Sequence, residues 1–257
     1  MEQITDYKLL VDTAVLAGEL MLKNGAEIYR VEDTISRILA RSGLQTREAY
    51  VTSTGFIVTL DDPKVDSMTV VRRVPERNTN LNKISSVNTV SRRFCAGEMT
   101  LKEAFHELKH MGGSIYTRRQ KDGCMLLVVA AFALLLGSSW KDTLGAGIAG
   151  VLLVLTIHLG ERIGFNPFIQ TLVSAAVVAL GAAGMSRIPG SGLHMDMIII
   201  GGIMPILPGA ALTTAVRDTL QGDYVAGGAK ALEALVKVAA IVLGVGFGIS
   251  LMGGIGV

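Results

Sequence analysis

The sequence predicts a polytopic α-helical membrane protein of about five transmembrane helices with an N-terminal cytoplasmic α+β domain. Three observations predict it. Charge is divided unevenly: residues 1–122 hold 18 of the 24 Lys and Arg and 16 of the 22 Asp and Glu, while residues 123–257 hold six of each. Uncharged runs long enough to cross a bilayer follow one another only in the second part. The first part mixes helical periodicity with a β-branched, aromatic stretch, as a small globular body with its own core would. The domain boundary is therefore expected at 122/123. Net charge is +2 for the first part (18 − 16) and zero for the second (6 − 6), which suggests no nucleic-acid partner.

The N-terminal part is taken in order. TDYKLLVDTAVLAGELMLKNG carries Leu9, Leu10, Ala14, Leu16, Ala17 and Leu20 on one broad helical face, and Asn24-Gly25 suits a helix end. AEIYRVEDTISRILARSG places Ile28, Val31, Ile35, Ile38 and Leu39 at helical spacing, with Gly43 as the stop. AYVTSTGFIVTL reads as a strand, DDP as a turn and DSMTVVRRV as a second strand, which together predict a hairpin. A helix with Leu81, Ile84, Val87, Val90 and Phe94 on one side follows. The last helix opens with Thr100 and Glu103 as a capping box and buries Leu101, Ala104, Phe105 and Leu108.

A bilayer-spanning helix needs about 20 apolar residues, with a range near 17–25. Five segments meet that length: about 123–140, 143–160, 163–186, 196–217 and 231–257, each built on an uncharged run. Arg118, Arg119 and Lys121 precede the first span. If that side is cytoplasmic, Arg162, Arg217 and Lys230 are cytoplasmic too, and only Lys141 and Arg187 lie outside. The positive-inside bias thus predicts a cytoplasmic N-terminal domain and a C-terminus outside, in the cell (inner) membrane. No signal peptide opens the chain and no membrane-length apolar run precedes residue 123, which supports the same orientation. Cys95 and Cys124 fall on the reducing side, so no disulfide is expected.

Enzyme chemistry has no recognisable home here. There is no GxSxG, no P-loop, no CxxC, and no GxGxxG followed by an acidic residue, so neither an enzyme nor a cofactor is predicted. His106 and His110 are four apart on one helix, but no third ligand is evident nearby, and no metal site is expected. Glu27, Arg30, Glu32 and Asp33 crowd one helix. Glu27 and Arg30 can pair at i,i+3 on a solvated face, or the cluster can form a contact surface for the membrane half or a partner. Gly160 and Gly164, Gly244 and Gly248, and Ala146 with Gly150 have the spacing of close helix packing or of subunit association. Asp196, Arg217 and Asp218 sit near the ends of the fourth span, Glu233 and Lys237 open the fifth, and His158 and Glu161 end the second. They read as interfacial anchors unless a transport path claims them.

The stretch GGIMPILPGAALTTAVRD does not fit an uninterrupted span. Pro205 and Pro208 each remove a helical hydrogen bond and clash with the preceding turn. Non-helical backbone at membrane depth is tolerated where it is buried in protein or lines a watery cavity, and secondary transporters use such breaks to face a substrate. A break near Pro205, Pro208 and Gly209 is therefore expected. Carbonyls around residues 202–204, amides of 209–211 and the hydroxyls of Thr213 and Thr214 would then face substrate. Asp196, Arg217 and Asp218 would serve as gate or coupling groups. A proline kink used only for packing is the plainer reading of the same residues.

NGAEIYRVEDTI, VTSTG, TVVRRV followed by NLNKISSVN, and PILPGAALTTAVRDTLQGD, in that order, resemble the threonine/serine exporter family, and more narrowly its short, N-terminal-half, two-component type. The resemblance implies a cytoplasmic N-terminal domain and a membrane unit that exports small polar metabolites. Threonine and serine are the substrates of the longer members, and dicarboxylates such as succinate are attributed to a two-component relative. Long members carry about ten spans, so the resemblance also implies a second short membrane subunit. Five spans would leave that second half inverted relative to the first, as in many transporters built of inverted repeats. The expected function is thus a membrane subunit of such an exporter, with homo-oligomerisation possible. The competing expectation is a membrane-anchored cytoplasmic binding or regulatory domain, whose spans only tether it. A tether does not account for the paired prolines.

Overall fold

The computed structural model describes residues 6–63, 65–75, 78–113 and 116–253. Val257, on which the outside C-terminus rests, lies outside the described residues, as does the rest of 254–257. The chain divides into two units. One comprises residues 1–115 together with 214–230, the other 116–213 together with 231–257. The link between the fourth and fifth expected spans thus belongs to the N-terminal unit.

In that first unit, α1 (Tyr7–Lys23) starts at Asp6, whose side chain accepts the Leu9 amide at 2.9 Å, and ends at Asn24. Next come α2 (Ile28–Ala40), then β1 (Thr46–Thr52), β2 (Gly55–Asp62) and β3 (Val65–Arg73). The three strands form an antiparallel sheet in chain order. The single strand expected over residues 49–60 is therefore two. Ser53 and Thr54 turn the chain, Thr52 faces Gly55, and the Thr52 hydroxyl donates to the Gly55 carbonyl at 2.9 Å. The turn hides in the sequence because apolar residues flank it closely. Gly55 is required by close approach: a Cβ there would lie 2.6 Å from the Arg72 carbonyl oxygen of β3.

The sheet buries Val51, Phe56, Val58 and Leu60 against α1 and α2, while Tyr50, Ile57 and Val71 point outward. Helices α3 (Leu81–Ala96) and α4 (Leu101–Lys109) complete this core through Ile84, Val87, Val90, Phe94, Ala104 and Leu108. The capping box at Thr100 and Glu103 is present. Ala226, from the distant link, is 1% exposed and belongs to the same core.

The second unit contains α5 (Arg118–Leu135), α6 (Trp140–Ile163), α7 (Pro167–Ser186), α8 (Met195–Ile203), a 3-10 turn (Met204–Ile206), and parts of α9 (Gly209–Leu220) and α10 (Tyr224–Gly253). Among the described residues, α6, α7 and α10 are long and apolar enough to cross a membrane. The count reaches four if α8 and α9 form one bent span. That is fewer than the five expected. The difference is α5: its 18 residues open with RRQKD, leaving 13 uncharged ones. At 1.5 Å per residue these reach about 20 Å, short of the ~30 Å hydrocarbon core.

Small residues bring these helices together. A Cβ at Gly145 would lie 2.7 Å from Ile198 of α8, and one at Gly202 the same distance from Val178 of α7. Ala146 is fully buried, and Gly150 faces Leu126 and Val129 of α5. Gly244 and Gly248 of α10 lie against α7, where a Cβ on Gly248 would be 2.6 Å from the Ala176 carbonyl oxygen. Gly164 differs from its expected partner Gly160. It is the left-handed cap of α6, at φ 83°, and not a packing position.

Gly248→Ala should therefore force α10 off α7, an overpacking cost of about 1–3 kcal/mol. Gly246→Ala, on the same helix, should be neutral, because nothing lies within 4 Å of the place its methyl would take. Thermal denaturation in detergent, followed by size-exclusion chromatography, checks the contrast: a lowered midpoint for the first variant and no change for the second.

Candidate functional site

The break in the fourth span follows from two prolines. Pro205 has no N–H to return to the Gly201 carbonyl, and Pro208 none for that of Met204. Met204 instead accepts the Leu207 amide at 3.3 Å, closing the 3-10 turn. Pro208 also bars Leu207 from helical geometry, and Leu207 is extended at φ −64° and ψ 135°. The helix resumes at Gly209, where the Pro208 carbonyl accepts the Leu212 amide at 3.0 Å. The segments Met195–Ile206 and Gly209–Leu220 meet at 55°. The expected discontinuity is present at the expected residues.

Around the break, Pro205 is half-buried, Pro208 buried, and Gly209 exposed. The Thr213 hydroxyl, also exposed, donates to the Gly209 carbonyl at 2.9 Å, so its remaining capacity is as an acceptor. Ala210, Ala211 and Thr214 are each engaged in an interaction, so this turn is not a row of vacant groups. Gly201 and Gly202 pack the preceding half-helix against Ala133, Ala146, Ala149 and Val178. Asp196 is exposed in the first turn of α8, well removed in sequence from the break.

Arg217 and Asp218 lie in the other unit, and both are ion-paired there. Arg217 donates to Glu27 Oε1, while Arg30 Nη1 lies 3.9 Å from Glu27 Oε2. Asp218 is 1% exposed and accepts from Lys230 Nζ at 2.6 Å. Glu32 accepts the Val51 amide at 3.0 Å. Burial, outweighing that hydrogen bond and joined by the nearby negative charge of Asp223, holds the Glu32 carboxyl above the usual range.

The reading of residues 27–33 as one solvated face is thus only partly met. Asp33 pairs with Arg37 in solvent at 2.8 Å, but Glu27 is buried and Glu32 half-buried. The pair of Asp218 with Lys230 lies twelve residues apart across a turn and could not be read from spacing. That turn is itself well specified. Gly222, at φ 89°, lets the Asp223 amide reach the Asp218 carbonyl at 3.0 Å and the Gly222 amide the Thr219 carbonyl at 3.1 Å. Asp223 then caps α10 by accepting the Ala226 amide at 3.1 Å.

Two further polar clusters lie in the membrane unit. Asp142, 1% exposed, accepts from Ser139 and from the His194 amide at 2.7 Å, tying the start of α6 to that of α8. Arg118 reaches Glu161 at 2.5 Å and His158 at 3.0 Å, with Asp122 3.2 Å from the same His158 nitrogen. Ser139 and Asp142 had a readable capping-box spacing; the partners on other helices had no local signal. Among the described residues no group of three or more metal-ligating side chains gathers.

A family model described as "Putative threonine/serine exporter" matches residues 12–252. The chain belongs to the threonine/serine exporter family. It is a multi-pass membrane protein of an exporter family, not of an enzyme family. It is similar to the "Threonine/serine exporter" of Corynebacterium glutamicum, with 24% identity over 259 residues, covering 96% of this chain and 53% of that relative. It is also similar to the "Probable threonine/serine exporter" of Mycobacterium tuberculosis, with 24% identity over 247 residues, covering 92% of this chain and 45% of that one. The chain thus spans about half the length of these curated relatives. No solved structure matches it.

Removing Lys230 alone leaves Asp218 buried and uncompensated. Lys230→Met should cost about 3–5 kcal/mol, whereas Asp218→Asn with Lys230→Met should recover much of it. Thermal midpoints of the purified chain check this; equal losses in the single and double variants would show the pair to be uncoupled.

Proposed function

We propose that this chain is a membrane subunit of an exporter for small polar metabolites, working with a second short membrane subunit. The substrates are threonine/serine-type amino acids or a dicarboxylate such as succinate. The single observation that carries the reading is the 55° break at residues 205–209, inside the stretch matched by the exporter family. A helix start at membrane depth bears about half a positive charge, and α9 starts at Gly209. That favours a substrate carboxylate, which all three candidates possess. Pro205 and Pro208 shape the site, Gly209 admits close approach, and Thr213 and Thr214 line it. Asp196, Arg217 and Asp218 are the gate or coupling groups. The names of the relatives support amino acids over dicarboxylates.

The second subunit rests on the resemblance to the short type. The chain covers 53% and 45% of two relatives, and its motifs resemble the short, two-component type of the family. The N-terminal body is cytoplasmic and the C-terminus outside on this reading, as the basic residues favour.

Cells expressing the chain with and without the partner should export labelled threonine, serine or succinate only with it. Pro205→Ala with Pro208→Ala should straighten the fourth span and lower export at least tenfold at equal membrane expression, roughly 1.4 kcal/mol of lost stabilisation. Export by the purified chain alone in liposomes would refute the two-subunit arrangement, and unchanged export by the double variant would reduce the break to packing.

A further inference from the structure

We infer that the N-terminal body controls the half-helix after the break, by holding the link between the fourth and fifth spans through the ion pair of Glu27 with Arg217, while Asp218 with Lys230 braces the link internally. The consequence for export rests on the function proposed above; the mechanical claim does not.

The link is built into the N-terminal body. Residues 214–230 belong to that unit, Ala226 is part of its core, and Ala215 is 3% exposed. The link is also stiff. Gly222 and Asp223 close the turn, and Gly227 packs so tightly that a Cβ on it would lie 2.9 Å from the Ala215 carbonyl oxygen. Helix α9 is continuous from Gly209 to Leu220, about 18 Å of regular helix. Whatever moves Arg217 or Asp218 therefore moves Gly209 with it, and the chain bends at the extended Leu207. The break supplies the hinge and α9 the lever.

The fastening itself is incomplete in a way that suits a device with two states. Buried polar atoms in proteins nearly always have a partner. Here Glu27 Oε2 and Asp218 Oδ1 are both buried without a hydrogen-bond partner among the described residues, although the other oxygen of each carboxylate is ion-paired. The negative charge of Asp223 is near enough to Glu32 to disfavour its carboxylate slightly, after burial. Arg30 Nη1, 3.9 Å from Glu27 Oε2, gives that oxygen a long ion pair without a hydrogen bond. Attraction through the ion pairs is thus opposed by two buried oxygens that lack hydrogen bonds among the described residues. A balance of this kind can be tipped by a small displacement at either end of α9.

Hydrogen–deuterium exchange on the purified chain in nanodiscs tests the inference. Glu27→Gln and, separately, Arg217→Gln should raise exchange at least fivefold in residues 214–230 and also in residues 205–213. The swap Glu27→Arg with Arg217→Glu should return both segments toward wild type. Exchange in the sheet, residues 46–73, should not change. In cells with the partner subunit, the single variants should lower the maximal export rate at least threefold with little change in KM, and the swap should restore it. A rise confined to 214–230 would overturn the lever, and loosening of the sheet in both single variants would make the pairs structural only. If wild-type chain and partner export nothing, the proposed function fails while the exchange comparison still decides the mechanical claim.

Discussion

A peptide group in the bilayer has no water to bond, and the C-terminal half of this chain is organised by that constraint. Helices satisfy it internally, and glycines and alanines let them approach until side chains such as Ile198 and Val178 fill the grooves left by Gly145 and Gly202. Pro205 and Pro208 violate it deliberately. Each removes a donor, and the chain answers with a 3-10 turn, an extended Leu207 and a fresh helix at Gly209. Such a break is tolerated at membrane depth where it is buried in protein or lines a watery cavity.

The charges of the N-terminal unit obey the opposite rule. Surface pairs such as Asp33 with Arg37 contribute little, because water screens them. The pairs that matter involve buried carboxylates. Asp218 is desolvated and depends on Lys230, and Glu27 is buried beneath Arg30 and Arg217. Both sit on sequence stretches, GAEIYRVEDT and AVRDTLQGD, that are distant in the chain and meet in one unit. The two stretches are thus joined by the ion pair of Glu27 with Arg217.

Much of this was legible in the sequence because its causes are local. The paired prolines announced their own break, Thr100 and Glu103 their cap, and Ile28, Val31, Ile35, Ile38 and Leu39 a buried helix face. The first apolar run is longer than its helix: its uncharged residues continue past the helix end at Leu135, so α5 holds only 13 of them. The β1–β2 turn was missed because Ser53 and Thr54 interrupt a strand-like run with residues that strands also use. The partners of Arg217 and Asp218 were invisible for another reason. Glu27 is 190 residues away from Arg217, and no periodicity reports a contact of that range. Interfacial anchoring is the natural reading of two charges at a span end, and only the fold reveals their partners, with Asp218 buried and Arg217 half-exposed.

The central claim is that substrate meets this chain at the broken helix. The most direct measurement is the thiol-modification rate of Gly209→Cys in membranes holding the chain and its partner subunit, with and without threonine, serine or succinate. Ile148→Cys, on an outward face of α6, serves as the reference. The account predicts that at least one of these substrates slows modification at position 209 several-fold and leaves position 148 unchanged. Equal rates at position 209 with and without every one of them, in membranes that do export, would contradict it.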